Sequence, residues 1–299
     1  MNIVAELMYD REKLRAKIKK WKWLFFIALI ILIFALSKNS KKIEHDHIAR
    51  ISIEGMILHD PYLIEDLKEL EKDPKVKALI VHIDSPGGTT FAGEEIYETL
   101  KKVKAKKPVV SVLETTAASG GYMVALATDH IVARNMTLTG SIGVLSQSFE
   151  AVELAKKLGI KLESFKSSPL KAAPNPMEVT TPEAKAATME SIQDSYDIFL
   201  KMLIESRKMS KEQALKVANG KAYTGKRAKE LKLIDEIGGE EEAIAWLEKN
   251  KKIPKDMPIQ DANWGEKESF FEEFTKFLHN SNSIFKQTMN SRESIMAIK

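Results

Sequence analysis

The stretch "PVVSVLETTAASGGYMVALATD", Pro108 to Asp129, decides how the chain is read. Its first part is β-branched and apolar, as a buried strand is. Its last part is an apolar run of helical length. Between them a single serine, Ser119, follows two alanines and precedes two glycines. Glycine inside a helix costs about 0.5–1 kcal/mol relative to alanine, so two in succession call for a close approach of backbone to something. A serine at a strand-to-helix junction lies beside N–H groups that no helical carbonyl can reach. That is a setting for a nucleophile, because an oxyanion forms next to it. A serine that only caps the helix is the alternative.

The same alternation of strand and helix runs outward from this stretch. "IARISIEG" from Ile48, "KALIVHID" (77–84), "HIVARN" (130–135) and "GSIGVL" (140–145) read as strands, and "KLESFKS" as a possible one. "PYLIEDLKELEKD" reads as a helix opened by Asp60 and Pro61, and "FEAVELAKKLGI" as another. "HIDSPGG" (82–88) reads as a strand ending in a glycine turn, which can aim main-chain N–H groups into a cleft. Such alternation predicts an α/β fold with a mainly parallel sheet. From Pro182 the pattern is helical, one long helix and three short ones. No repeat of fixed period is present.

Composition narrows the function. The 299 residues carry a net charge of +4 and far more lysine than arginine, which does not point to nucleic acid. There is no cysteine, so thiolate metal sites and cysteine nucleophiles are excluded. "HDH" at His45–His47 is a weak metal suggestion. "GKAYTGKR" (220–227) departs from a phosphate loop, because Arg227 stands where a hydroxyl residue is required.

The N-terminal region predicts a membrane location. Residues 11–22 hold seven Lys/Arg and one Glu, and the uncharged run Trp23–Ser37 follows. The run is short for a spanning helix of about 17–25 residues, but Trp21 and Lys22 can extend it. The expected organisation is a cytoplasmic basic segment (1–22), a transmembrane anchor (23–37), a linker (38–47), a catalytic domain (48–250) and a C-terminal extension (251–299). The positive charge keeps the N-terminus in the cytoplasm and the domain outside. A cleaved signal peptide ending near Ala35–Ser37 is the competing reading.

A nucleophilic serine needs a base. Of the six histidines, His82 is the best candidate, on a strand. A lysine base must be neutral, which calls for apolar surroundings. Lys171, in "SSPLKAAPNP", has no acid within six residues on either side. Lys166 is the fallback.

The ordered set "HIDSPGG", "TTAASGGYMVALATDHIVARNMTLTGSIGV", "SSPLKAAPNP" and "NGKAYTGKRAKELKLIDEIGG" resembles the signal peptide peptidase A family of serine proteases, in its short bacterial form, over residues 48–250. The resemblance implies a ClpP/crotonase-like fold and a serine–lysine dyad. By the same resemblance Ser119 is the nucleophile, Lys171 the general base and Ser141 the residue that orients the lysine. Gly88 and the Ser119 N–H are the implied oxyanion donors. It calls for no metal and no cofactor. It further implies apolar peptide substrates, remnant signal peptides above all, at the bacterial inner membrane. It implies a homo-oligomeric ring in which neighbouring subunits share a site. The rivals are a related membrane protease cutting an intact, stomatin-type client, a crotonase-fold acyl-CoA enzyme, and an inactive scaffold.

Overall fold

A computed structural model describes residues 3–37 and 45–262. Two compact units divide at His45/Asp46.

The first unit contains one helix, α1 (Ile3–Ser37), joining the basic segment to the apolar one. The expected transmembrane anchor finds no support here. Among the described residues, no helix is long and apolar enough to cross a membrane. The reason lies in the sequence. The uncharged run 23–37 is 15 residues long, and seven cations stand directly before it on the same helix. From Trp21 to Ile30 the large apolar side chains are exposed, Trp21 at 72% and Phe25 at 68%.

The second unit is built on an eight-stranded sheet among the described residues. In chain order its elements are β1 (His47–Ile57), α2 (Pro61–Lys72), β2 (Val76–Gly88), α3 (Thr90–Lys104), β3 (Val109–Ala118), α4 (Gly120–Ala125), β4 (His130–Ala133), β5 (Leu138–Gly140), α5 (Val152–Lys157), α6 (Pro182–Arg207), α7 (Lys211–Val217), β6 (Ala222–Thr224), α8 (Gly225–Glu230), β7 (Glu236–Ile237), α9 (Glu240–Lys251) and β8 (Ile259–Asp261). The strand order is β6-β5-β3-β2-β1-β8, with β4 on β3 and β7 on β4. Every pairing is parallel except β5 with β6.

Strand alternation sorts the core. Leu79, Val81 and Ile83 of β2 face α2, α3, α4 and α6. Ala78 and Ile80 face α9, against Ala243 and Leu247. Caps follow the local sequence: Asp60 accepts from Tyr62 and Leu63 N–H, and Ser210 and Gln213 form a capping box at α7.

Four readings change. "SPGG" is not a turn, because β2 runs through it while Met56 and Ile57 of β1 pair Gly87 and Gly88. "GSIGVL" is a strand only to Gly140. The helix expected over 149–160 is confined to α5, and residues 161–167 form no strand. The domain also continues past residue 250, since β8 pairs β1 and Ile253 joins the core. The rest of the expected C-terminal extension, from residue 263, lies outside the described residues.

An ion pair joins α6 to the residue before β7. Arg207 holds Asp235 through two bonds of 3.0 and 2.7 Å, and Ile131 N–H donates to the same carboxylate at 2.8 Å. Burial pushes the Asp235 carboxyl up, but these donors more than offset it and the net direction is down. Arg207→Met leaves a largely buried carboxylate uncompensated, and stability at pH 7 should fall by about 3–5 kcal/mol. Because Asp235 is depressed, its contribution is full above the unfolded carboxylate value near 3.9 and is lost as pH falls through the folded one. Thermal unfolding should therefore show the gap between wild type and Arg207→Met narrowing at pH 3.

Candidate active site

The carboxyl ends of β2, β3 and β5 meet where β3 changes partner. Val110–Leu113 pair β4, and Thr116–Ala118 pair β5. In open α/β sheets the crevice at the strands' carboxyl ends is where ligands bind. Ser119 lies at that point, between β3 and α4.

Its backbone has φ 52° and ψ −118°. An L-residue held there costs about 1–3 kcal/mol, which surrounding bonds must maintain. Ser119 N–H donates to Gly140 O at 2.8 Å, and Met123 N–H donates to Ser119 O at 2.9 Å. Thr139 Oγ1 fixes the neighbouring strand end through Ala117 O at 2.7 Å. The side chain makes no capping bond, so the helix-cap reading of Ser119 fails. The hydroxyl is half-buried and without a hydrogen-bond partner among the described residues.

The glycines explain the close approach. A Cβ on Gly88 would lie 1.8 Å from Ile57 O, and one on Gly120 would lie 3.1 Å from Gly88 N. The end of β2 and the start of α4 therefore touch through backbone alone. Thr89 N–H donates to Ile57 O on the β1 side. Gly88 N lies beside the start of α4.

The second expected donor is corrected. Ser119 N–H is engaged by Gly140 O and is not available to a substrate. The next N–H, of Gly120, is at the first position of α4, where no helical bond can form. It lies beside Gly88 N.

Ser141 stands next to this centre, because it follows Gly140, the partner of Ala118. Its φ is 50°. Its hydroxyl makes only a long bond to Gly220 O, 3.4 Å, which leaves it able to meet a second group. Lys171 is not desolvated by its neighbours in sequence. It is exposed, and its Nζ has no partner among the described residues. Its loop does come to the site: Ala173 and Pro174 line a cavity of about 570 Å³ with Gly88, Val144, Ala187 and Ile192.

The alternative bases are each engaged by carboxylates. The ring nitrogens of His82 lie 2.6 Å from Glu114 and 2.5 Å from Glu240, on the α9 face. Lys166 Nζ is held by the Glu178 carboxylate. Among the described residues no group of three or more His, Asp or Glu could hold a metal ion.

Comparison with known proteins identifies relatives of the chain. The model of peptidase family S49 matches residues 101–254, just over half of the chain. A candidate protease of Methanocaldococcus jannaschii is 39% identical over 187 residues, 62% of this chain and 60% of that protein. A candidate signal peptide peptidase SppA of Enterococcus faecium is 32% identical over 206 residues, 69% of this chain and 60% of that one. The matched part of the chain thus spans about 60% of these relatives. A solved ClpP1 mutant of Listeria monocytogenes is similar at a TM-score of 0.41 and 20% identity, over 64% of this chain and 91% of that one.

Proposed function

The chain belongs to peptidase family S49, the signal peptide peptidase A family of serine-type hydrolases, and on that premise we propose that it is an endopeptidase acting through Ser119 and Lys171 on apolar peptides, remnant signal peptides foremost. The observation that carries the reading is the Ser119 hydroxyl, unbonded on a strained backbone beside the N–H groups of Gly88 and Gly120.

Lys171 Nζ takes the proton of Ser119 Oγ as that oxygen attacks the peptide carbonyl. Gly88 and Gly120 N–H hold the oxyanion. The protonated lysine then delivers its proton to the leaving amine, and water activated by the same lysine releases the acyl group. Ser141 orients the lysine. The cavity beside Gly88 has Val144, Leu145 and Ile192 in its wall together with Thr90, Thr188 and Ser195, so it offers a substrate side chain both apolar surface and hydroxyl groups.

The proposal includes a ClpP/crotonase kind of fold and a ring of identical subunits in which one copy's Lys171 serves its neighbour's Ser119. It is supported by the exposed Leu145, Phe149, Leu158 and Phe165 around the lysine loop, with Phe165 92% accessible. It also places the domain at the outer face of the bacterial inner membrane. The exposed apolar side chains of α1 beside seven cations support that location.

Mixing two inactive full-length variants tests the reading. Ser119→Ala and Lys171→Ala should each fail to cleave an apolar signal-sequence peptide. Co-refolded in equal amounts, they should recover about a quarter of wild-type activity if sites form head-to-tail between copies. An inert mixture of folded variants assigns both residues to one chain. An active Lys171→Ala removes the lysine from the mechanism.

A further inference from the structure

The segment 164–178 contains no helix or strand beyond turns, yet it is closed at its base. Glu178 grips two residues of the opposite end. Its Oε1 accepts from Ser164 Oγ at 2.6 Å, and its Oε2 accepts from Lys166 Nζ. This is no casual surface pair. The Lys166 side chain is 18% exposed and that of Glu178 31%, whereas the paired Lys156 and Lys201 are 66% and 76% exposed. Both donors hold the Glu178 carboxyl below the usual carboxylate range, Lys166 first and Ser164 second.

A second tie fixes the loop from outside, since Ala151 N–H donates to Pro176 O at 2.7 Å. Between clamp and tie the chain turns on short-range bonds. Lys171 N–H reaches Ser168 O at 3.1 Å, Ala173 N–H reaches Leu170 O at 3.2 Å, and Met177 N–H reaches Asn175 Oδ1 at 3.0 Å. Lys171 stands inside this closed loop, two residues before the Ala173–Pro174 pair that lines the Gly88 cavity. Its own Nζ has no partner among the described residues. The place of its amine is therefore set by the loop and not by any bond of its own.

We propose that Glu178 is a positioning residue for the reaction: by gripping Lys166 and Ser164 it closes the 164–178 loop and determines where Lys171 stands. The proposal rests on the reading of Lys171 as the general base. Loops of this length without regular structure are uncommon in compact domains unless they serve function, and a base displaced by about 1 Å can cost on the order of 100-fold in rate. Lys166 thereby has a structural partner's role instead of the base's.

The test uses the full chain and the apolar signal-sequence peptide. Glu178→Ala and Lys166→Met should each lower kcat by about 10- to 100-fold with KM nearly unchanged. The double variant should be no worse than either single one. The exchanged pair, Lys166→Glu with Glu178→Lys, should recover most of the lost kcat, which a merely structural contribution of either side chain would not do. Thermal unfolding is followed for each variant. If a single variant is also less stable, the exchanged pair decides: recovery of kcat supports the clamp, and recovery of stability without kcat overturns it. Glu178→Ala at wild-type kcat, with Lys171→Ala inert, overturns the positioning role and leaves the base assignment intact. An active Lys171→Ala overturns the base assignment itself, and the positioning role with it.

Discussion

Ser119→Ala should lower cleavage of an apolar peptide by about four to six orders of magnitude while leaving the fold intact. The two neighbouring serines at the strand ends are differently placed. Ser85 is buried and bonded to Gly87 N–H at 3.0 Å, and Ser141 lies one strand away with its hydroxyl toward Gly220 O. The alanine variant keeps the backbone at φ 52° and so keeps its strain. Ser119→Gly relieves it. Glycine is free to adopt such a φ, and although it gains entropy in the unfolded chain, the relieved strain is larger. Ser119→Gly should therefore be as inactive as Ser119→Ala and more stable by about 1 kcal/mol. Thermal unfolding of the two variants beside the wild type measures this. A stability gain at the cost of all activity would identify strain kept for function. An active Ser119→Ala would move the nucleophile elsewhere, and a destabilised Ser119→Gly would remove the strain argument.

The strands and helices that carry Ser119 are legible because each is consistent with its local pattern. β3 opens on Val109–Leu113, a nearly apolar run that is buried throughout, as a strand covered on both faces must be. α2 announces itself through Asp60 and Pro61. Where the reading departs from the structure, a partner distant in sequence has overridden a local signal. Pro86-Gly87-Gly88 has every mark of a turn, yet β1 holds it in the sheet. The engagement of Ser119 N–H follows from β5 lying beside the end of β3, and no local pattern specifies that neighbour. Lys171 misleads in the opposite way. Its neighbours in sequence are apolar, but they do not enclose it. Residues 141–180 carry apolar side chains that suggest a strand and a longer helix, yet Leu145, Phe149 and Phe165 are exposed. Periodicity records what a segment can bury, not whether its own chain supplies the surface. Glu178 escaped notice because an acid seven residues beyond Lys171 looks like surface charge until the loop is closed.

Gly120→Ala should lower kcat by about 100- to 1000-fold, the loss that follows removal of an oxyanion donor, with little loss of stability. The added methyl would stand 3.1 Å from Gly88 N and 3.4 Å from Gly87 Cα. It would thus occupy the space in front of one donor while belonging to the residue that supplies the other. The strain is a matter of a few tenths of an ångström, and alanine is the better helix former, so the two effects on stability oppose each other. Gly88→Ala would be a poorer probe. Its methyl would fall 1.8 Å from Ile57 O, so β1 and β2 would have to part, and lost activity would report only lost structure. Peptide kinetics and thermal unfolding of Gly120→Ala separate the possibilities. Low kcat with unchanged KM and unchanged unfolding temperature means that the two N–H groups act on the transition state. Full activity would mean that the oxyanion is held elsewhere, and that the contact between β2 and α4 serves packing alone.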